Sequence, residues 1–128
     1  EMPQTPEEDV EVRIEDQRAI NTFGRLNSRM HELEEELKEK KSQYDLLDDA
    51  ANEMILADDD EPVRYAFGEC YFECSKDQAE ELLEKQKEKS EEEANKLEEE
   101  LSSIRNTLAQ LKTQLYGRFG NNINLEEK

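Results

Sequence analysis

Two cysteines, one histidine and a run of four carboxylates are the residues of this 128-residue chain whose types are best suited to chemistry. Cys70 and Cys74 stand four apart in a segment patterned as a strand. At ~3.3 Å per residue they lie roughly 13 Å from each other, beyond disulfide reach and too far apart to share one zinc ion. They read as small buried thiols of a reducing compartment. His31 follows Met30 at the edge of a heptad seam, with Glu35 one turn on. No serine or cysteine stands in fixed register to it, so a nucleophilic relay lacks its second member and a solvated imidazole on a helix surface is the plainer reading. Asp58-Asp59-Asp60-Glu61 would attract a cation, but the run lacks the alternating carboxylates, central glycine and trailing glutamate of a calcium loop. The four glycines, at 24, 68, 117 and 120, are scattered and form no phosphate-cradling loop. The expectation is a chain with no catalytic residues, no metal site and no cofactor, acting by passive binding.

The elements that position these residues are set by hydrophobic period. With a at 23, 30, 37, 44 and 51, the first half of the chain places Phe23, Met30, Leu37, Tyr44 and Ala51 at a, and Leu26, Leu33, Lys40, Leu47 and Met54 at d. In the second half the seam comprises Leu83, Ala94, Leu97, Leu101, Ile104, Leu108, Leu111 and Leu115, interrupted by Glu80, Lys87 and Ser90. Apolar residues repeating every 3.5 positions among Glu, Lys and Gln are the coiled-coil signature, sustained here twice. The spacing predicts helices over 15–57 and 76–116, each roughly 60 Å long at about 1.5 Å per residue. Antiparallel pairing would bring both termini to one tip, with residues 117–128 as a tail there. Lys87 and Ser90 fall near the bend, where pairing is expected to be weaker or rearranged.

Between the heptads, residues 63–74 alternate with period two around Gly68-Glu69, which suits a two-residue turn. That turn sets Phe67 opposite Cys70, Tyr65 opposite Phe72 and Val63 opposite Cys74, with Arg64 opposite Glu73 and Ala66 opposite Tyr71. One face is then apolar and the other carries an ion pair. Pro62 closes the first helix, and Ser75 with Gln78 forms a capping box that opens the second. A lone two-stranded hairpin is marginal in water and exposes two edges, so hairpins from several chains are expected to join into one sheet or barrel. The predicted fold class is mostly α: a long antiparallel coiled-coil hairpin with one β-hairpin at the bend, contributing to an intermolecular sheet or β-barrel.

Composition narrows the functions available. A chain of 128 residues, 41 % charged and 34 % hydrophobic, allows a single domain over 1–128 without a large globular core or a buried enzyme cavity. The net charge of −18 excludes nucleic acid and anionic membrane surfaces, which demand a basic face. No run approaches the ~20 apolar residues that span a bilayer, and Glu1–Asp9 is acidic, unlike a signal peptide. A cytoplasmic protein is expected, with a nuclear presence left open. Apolar residues persist beyond the last heptad: Ile20, Phe23, Leu115, Phe119, Ile123 and Leu125 gather around the helix-stopping Gly120-Asn121-Asn122. Phe23 and Leu115 can close the seam, whereas Phe119, Ile123 and Leu125 read as a binding surface.

Three stretches carry a family resemblance: Glu15-Asp16-Gln17-Arg18-Ala19-Ile20-Asn21, the segment Asp58 to Gly68, and Leu115-Tyr116-Gly117-Arg118-Phe119-Gly120-Asn121-Asn122-Ile123-Asn124-Leu125. Over about residues 10–126 the chain resembles the β-type subunits of prefoldin. The resemblance implies a heterohexamer, in which this chain joins two α-type and three further β-type subunits through a double β-barrel. It implies ATP-independent capture of non-native clients such as actin and tubulin at the coiled-coil tips, and their transfer to the cytosolic chaperonin. By position, Val63, Tyr65, Phe67, Cys70 and Phe72 would build the barrel. Ile20, Phe23, Leu115, Phe119, Ile123 and Leu125 would line the client-binding tip. Gly117, beside the end of the last helix, is expected to fray it early. Several small apolar tips would bind one client weakly and with avidity, while the acidic arms would favour basic client segments. The alternative is a structural or tethering coiled-coil scaffold that does not bind unfolded chains.

Overall fold

The computed structural model describes residues 11–56, 63–67 and 70–125. In chain order the elements are α1 (Ile14–Ile55), β1 (Val63–Phe67), β2 (Cys70–Cys74), α2 (Lys76–Phe119) and a 3-10 turn, Gly120–Asn122. The fold is therefore mostly α, with one strand pair between two long helices. The end of the first predicted helix at Ala57, the acidic run 58–61, Pro62 and the Gly68-Glu69 turn lie outside the described residues. α2 runs to Phe119, past the predicted end at Tyr116. Gly117 sits inside the helix, where its cost of about 1 kcal/mol relative to alanine is offset by burial of Leu115 and Phe119 on either side. The stop is Gly120, whose φ of 56° is the left-handed conformation that glycine alone adopts cheaply.

Both predicted local signals are present at the strands. β1 and β2 pair antiparallel as Val63↔Cys74, Arg64↔Glu73, Tyr65↔Phe72, Ala66↔Tyr71 and Phe67↔Cys70. Ser75 and Gln78 form a reciprocal box: the Ser75 N–H donates to Gln78 Oε1 at 3.1 Å, and the Gln78 N–H to Ser75 Oγ at 3.2 Å. Two N–H groups that the helix cannot satisfy are thereby paired.

The chain forms two compact units, residues 1–35 with 98–128, and residues 36–97. In the first, the helices run antiparallel: Asp16 pairs with Arg118, Arg29 with Glu100 and Glu34 with Arg105. The core is the heptad seam, Phe23, Met30 and Leu33 against Leu101, Ile104, Leu108 and Leu115. Leu33, Leu108 and Leu115 are fully buried, each worth about 1.5–3 kcal/mol.

The second unit is also antiparallel, as the pairs Lys40–Glu93 and Asp48–Lys87 require, but its seam is less complete. Ala79, Leu83 and Ser90 are buried, whereas Leu37, Tyr44, Leu47, Ala51, Met54, Ala94 and Leu97 are half-buried. The interruptions expected to mark a junction keep the heptad phase. Lys87 lays its stem along the seam with Nζ 2.9 Å from Asp48 Oδ1 and 5.6 Å from the centre of the Tyr44 ring. The hydrogen bond to Asp48 raises the Lys87 pKa, as that from Lys40 lowers the pKa of Glu93.

Candidate functional site

At the end of the first unit the seam closes with a charged pair. Carried one period beyond the apolar heptads, position a before Phe23 is Asp16 and position d after Leu111 is Arg118. Arg118 Nε donates to Asp16 Oδ1 at 3.0 Å, its Nη2 contacts Asp16 Oδ2 as well, and Nη2 also donates to the Glu11 carbonyl at 2.9 Å. Asp16 Oδ2 accepts from the Arg13 N–H at 2.9 Å, the donor at the start of α1 that the helix leaves unpaired. The carboxylate is buried among these partners. The Arg118 guanidinium first, and the Arg13 N–H second, hold its pKa at about 2 against an ordinary 3.8. One side chain thus caps α1 and ties it to the last turn of α2.

Next to this clamp the predicted tip residues come together, although most do so as core. Phe23, Leu115, Phe119 and Leu125 are buried, and Ile20 and Ile123 are half-buried at the margin. The tail after Gly120 turns back, so that the Leu125 N–H donates to the Tyr116 hydroxyl at 3.2 Å. Arg118 stacks its guanidinium 5.3 Å from the centre of the Phe119 ring. Phe119 and Leu125, read from the sequence as binding surface, are covered in this conformation. The apolar surface that is open at this end belongs to residues that sequence reasoning missed: Val12 is 58 % exposed and Ile14 71 %. They precede the first recognisable heptad, so no periodicity drew attention to them.

The remaining candidates stay separate. Val63 is half-buried, and Tyr65, Phe67, Cys70 and Phe72 hold their register positions while their side chains lie outside the described residues. Cys74 is a half-buried free thiol. His31 pairs through Nδ1 with Glu34 at 3.2 Å, in place of the Glu35 that simple one-turn spacing suggested. Residues three apart on a helix are neighbours just as those four apart are, and the side-chain rotamer decides between them. Among the described residues no group of three or more His, Cys, Asp or Glu side chains is placed to hold a metal ion, and no helix is long and apolar enough to cross a membrane. In the second unit Leu46, Ile55 and Leu56 are exposed, Leu56 by 87 %, at positions off the seam. Such residues have no partner within a coiled-coil pair and offer surface to another chain.

Charge is distributed unevenly in the first unit. Residues 17–31 carry Arg18, Arg25, Arg29 and His31 and no carboxylate, and residues 101–125 carry Arg105, Lys112 and Arg118 and none. A chain of net charge −18 therefore has an acid-free band near the helix ends. On α1 an open groove of about 600 Å³ runs along this band to its edge at Glu32, lined also by Ile20, Gly24, Arg25, Ser28 and Arg29 among others.

The prefoldin subunit family matches residues 17–122, which take in α1 except its first turn, the strand pair and all of α2. The chain is 44 % identical over 126 residues to prefoldin subunit 4 of Homo sapiens, covering 98 % of this chain and 94 % of that protein. Prefoldin subunit 4 of Saccharomyces cerevisiae is 35 % identical over 125 residues, with 98 % and 97 % covered. Among solved structures, the prefoldin beta subunit from Thermococcus strain KS-1 superposes with a TM-score of 0.76 at 17 % identity, over 86 % of this chain and 96 % of that one, a likeness of fold. Heptads, strand register, capping box and the terminal block as far as Asn122 lie within the family match, and the chain belongs to the prefoldin subunit family, whose members are chaperone-type proteins that assemble with one another.

Proposed function

We propose that this chain is one subunit of a heterohexameric, ATP-independent chaperone, which captures non-native proteins such as actin and tubulin at its helix ends and passes them to the cytosolic chaperonin. The observation that carries the reading is the exposed apolar surface of Val12 and Ile14 where α1 begins, at the same end of the unit as half-buried Ile20 and Ile123. Small exposed apolar patches on several subunits bind an unfolded chain weakly one by one and firmly together, so release needs no nucleotide. Phe23, Leu115, Phe119 and Leu125 then act from beneath, as the packed base that holds this rim in place. Assembly runs through Val63, Tyr65, Phe67, Cys70 and Phe72, whose register suits edge-to-edge joining of hairpins from two α-type and three further β-type subunits. The exposed Leu46, Ile55 and Leu56 extend that contact. A cytoplasmic location belongs to the same reading, since it is where the chaperonin acts.

The test is aggregation of chemically denatured actin diluted into buffer with the assembled particle. A particle carrying Val12→Asp and Ile14→Asp in this chain is expected to protect less well than the unaltered one, with assembly intact by native mass. If the unaltered particle gives no protection, the scaffold alternative takes its place. Full protection by the double variant would move the client surface elsewhere.

A further inference from the structure

We propose that the face of α1 bearing Arg18 and Arg25, with the groove at Gly24, is a docking site for acidic, extended segments of non-native polypeptide; this rests on the capture reading above and adds its charge preference. Gly24 is the first observation. It lies in the interior of α1, where glycine costs about 0.5–1 kcal/mol relative to alanine. A Cβ there would meet nothing within 4 Å, and among the described residues only Gly120 has a positive φ. Neither internal packing nor backbone conformation calls for glycine at this place. Its effect is to leave open the floor of the groove beside Ile20, where another backbone can lie close to the helix.

Charge is the second observation. Arg18 and Arg25 are seven residues apart and so share one helix face, both exposed. Among the described residues neither has a carboxylate partner, and Arg25 donates only to Thr22 Oγ1 at 3.2 Å. Arg29 divides its charge between Glu32 at 3.2 Å and Glu100 at 3.5 Å, so Glu32 closes the far end of the groove with its own ion pair. The open end is cationic, and guanidinium groups match carboxylates with two parallel hydrogen bonds. From Ile20 to Glu32 the helix rises about 18 Å, the length of roughly five extended residues. Nucleic acid fits poorly, since the two guanidinium groups of Arg18 and Arg25 are too few to neutralise the dense charge of a phosphate backbone. A basic segment meets charge of its own sign. The preference for basic clients expected from total charge is thus reversed where the client would lie.

The experiment uses the assembled particle and two fluorescent unstructured peptides of identical apolar content, one with glutamates and one with lysines at its polar positions. Anisotropy at low salt is expected to show the acidic peptide bound about fivefold more tightly, the scale of one or two exposed ion pairs. Added salt should erase the difference. Arg18→Glu with Arg25→Glu should abolish or invert the preference, whereas Gly24→Gln, which fills the groove without a charge change, should weaken the acidic peptide's binding. If that double variant fails to assemble, the salt titration and Gly24→Gln decide the matter alone. Equal binding of both peptides would overturn the inference while leaving client capture standing. Binding of neither would overturn both.

Discussion

Leu115 and Ile14 lie at the same end of the same unit and separate buried from exposed apolar residues at the tip. Leu115 is fully buried, so Leu115→Ala removes its transfer energy and leaves a cavity, together about 2–5 kcal/mol. Ile14 is 71 % exposed, so Ile14→Ala forfeits less than about 1 kcal/mol of the 1.5–3 that complete burial would supply. Each 1.4 kcal/mol is a factor of ten in an opening equilibrium. Leu115→Ala should therefore speed amide hydrogen exchange at least about 30-fold, and Ile14→Ala less than about fivefold. The assay is hydrogen exchange by mass spectrometry on the assembled particle, followed in peptides covering 14–35 and 98–119. Helix ends open cheaply in any case, which places the Leu115 effect near the lower end of its range. Client protection should respond in the opposite order: Ile14→Asp impairs it with exchange unchanged. If Ile14→Ala and Leu115→Ala accelerate exchange equally, the division of the tip into packed base and exposed rim is wrong.

Acid should loosen the first unit through Asp16. Its folded pKa of about 2 lies below the ordinary 3.8, so the stabilisation is complete above about pH 4 and is lost as pH falls toward 2. Subtracting the acid unfolding curve of Asp16→Asn from that of the unaltered particle should isolate this loss, and parallel curves would dismiss the clamp. Gly117 inside α2 and Gly120 just after it should respond with opposite signs. Gly117→Ala stabilises by up to about 1 kcal/mol, because the added methyl meets nothing within 4 Å. Gly120→Ala destabilises by about 1–2 kcal/mol, because φ is 56° there. Denaturant midpoints of the two variants, moving in opposite directions, would verify both. Ser75→Ala removes half of the capping box and should cost about 1 kcal/mol, read as faster exchange in the first turns of α2. Phe67→Asp should dissociate the assembly, and an unchanged native mass would remove the hairpin from the interface.

Sequence alone settled the features that repeat or that act over a few residues. The heptads phase both helices because each seam position is reinforced by the next, so a single exception such as Lys40 or Lys87 does not shift the frame. The strand register follows from period two, where a slip by one residue would exchange the two faces. The Ser75–Gln78 box needs only four residues. The terminal block from Leu115 to Leu125 pointed to the family, yet said nothing of which of its apolar side chains face outward. That was decided by contacts between parts of the chain distant in sequence. Asp16 meets Arg118 across 102 positions, at seam sites that hydrophobicity does not mark. Gly120 in its left-handed conformation turns the tail back, Tyr116 holds Leu125, and Phe119 is covered. Burial is a property of the partner surface as much as of the residue itself. Apolar character therefore announced a cluster at the tip, and only tertiary packing made Phe119 its base and Ile14 its rim.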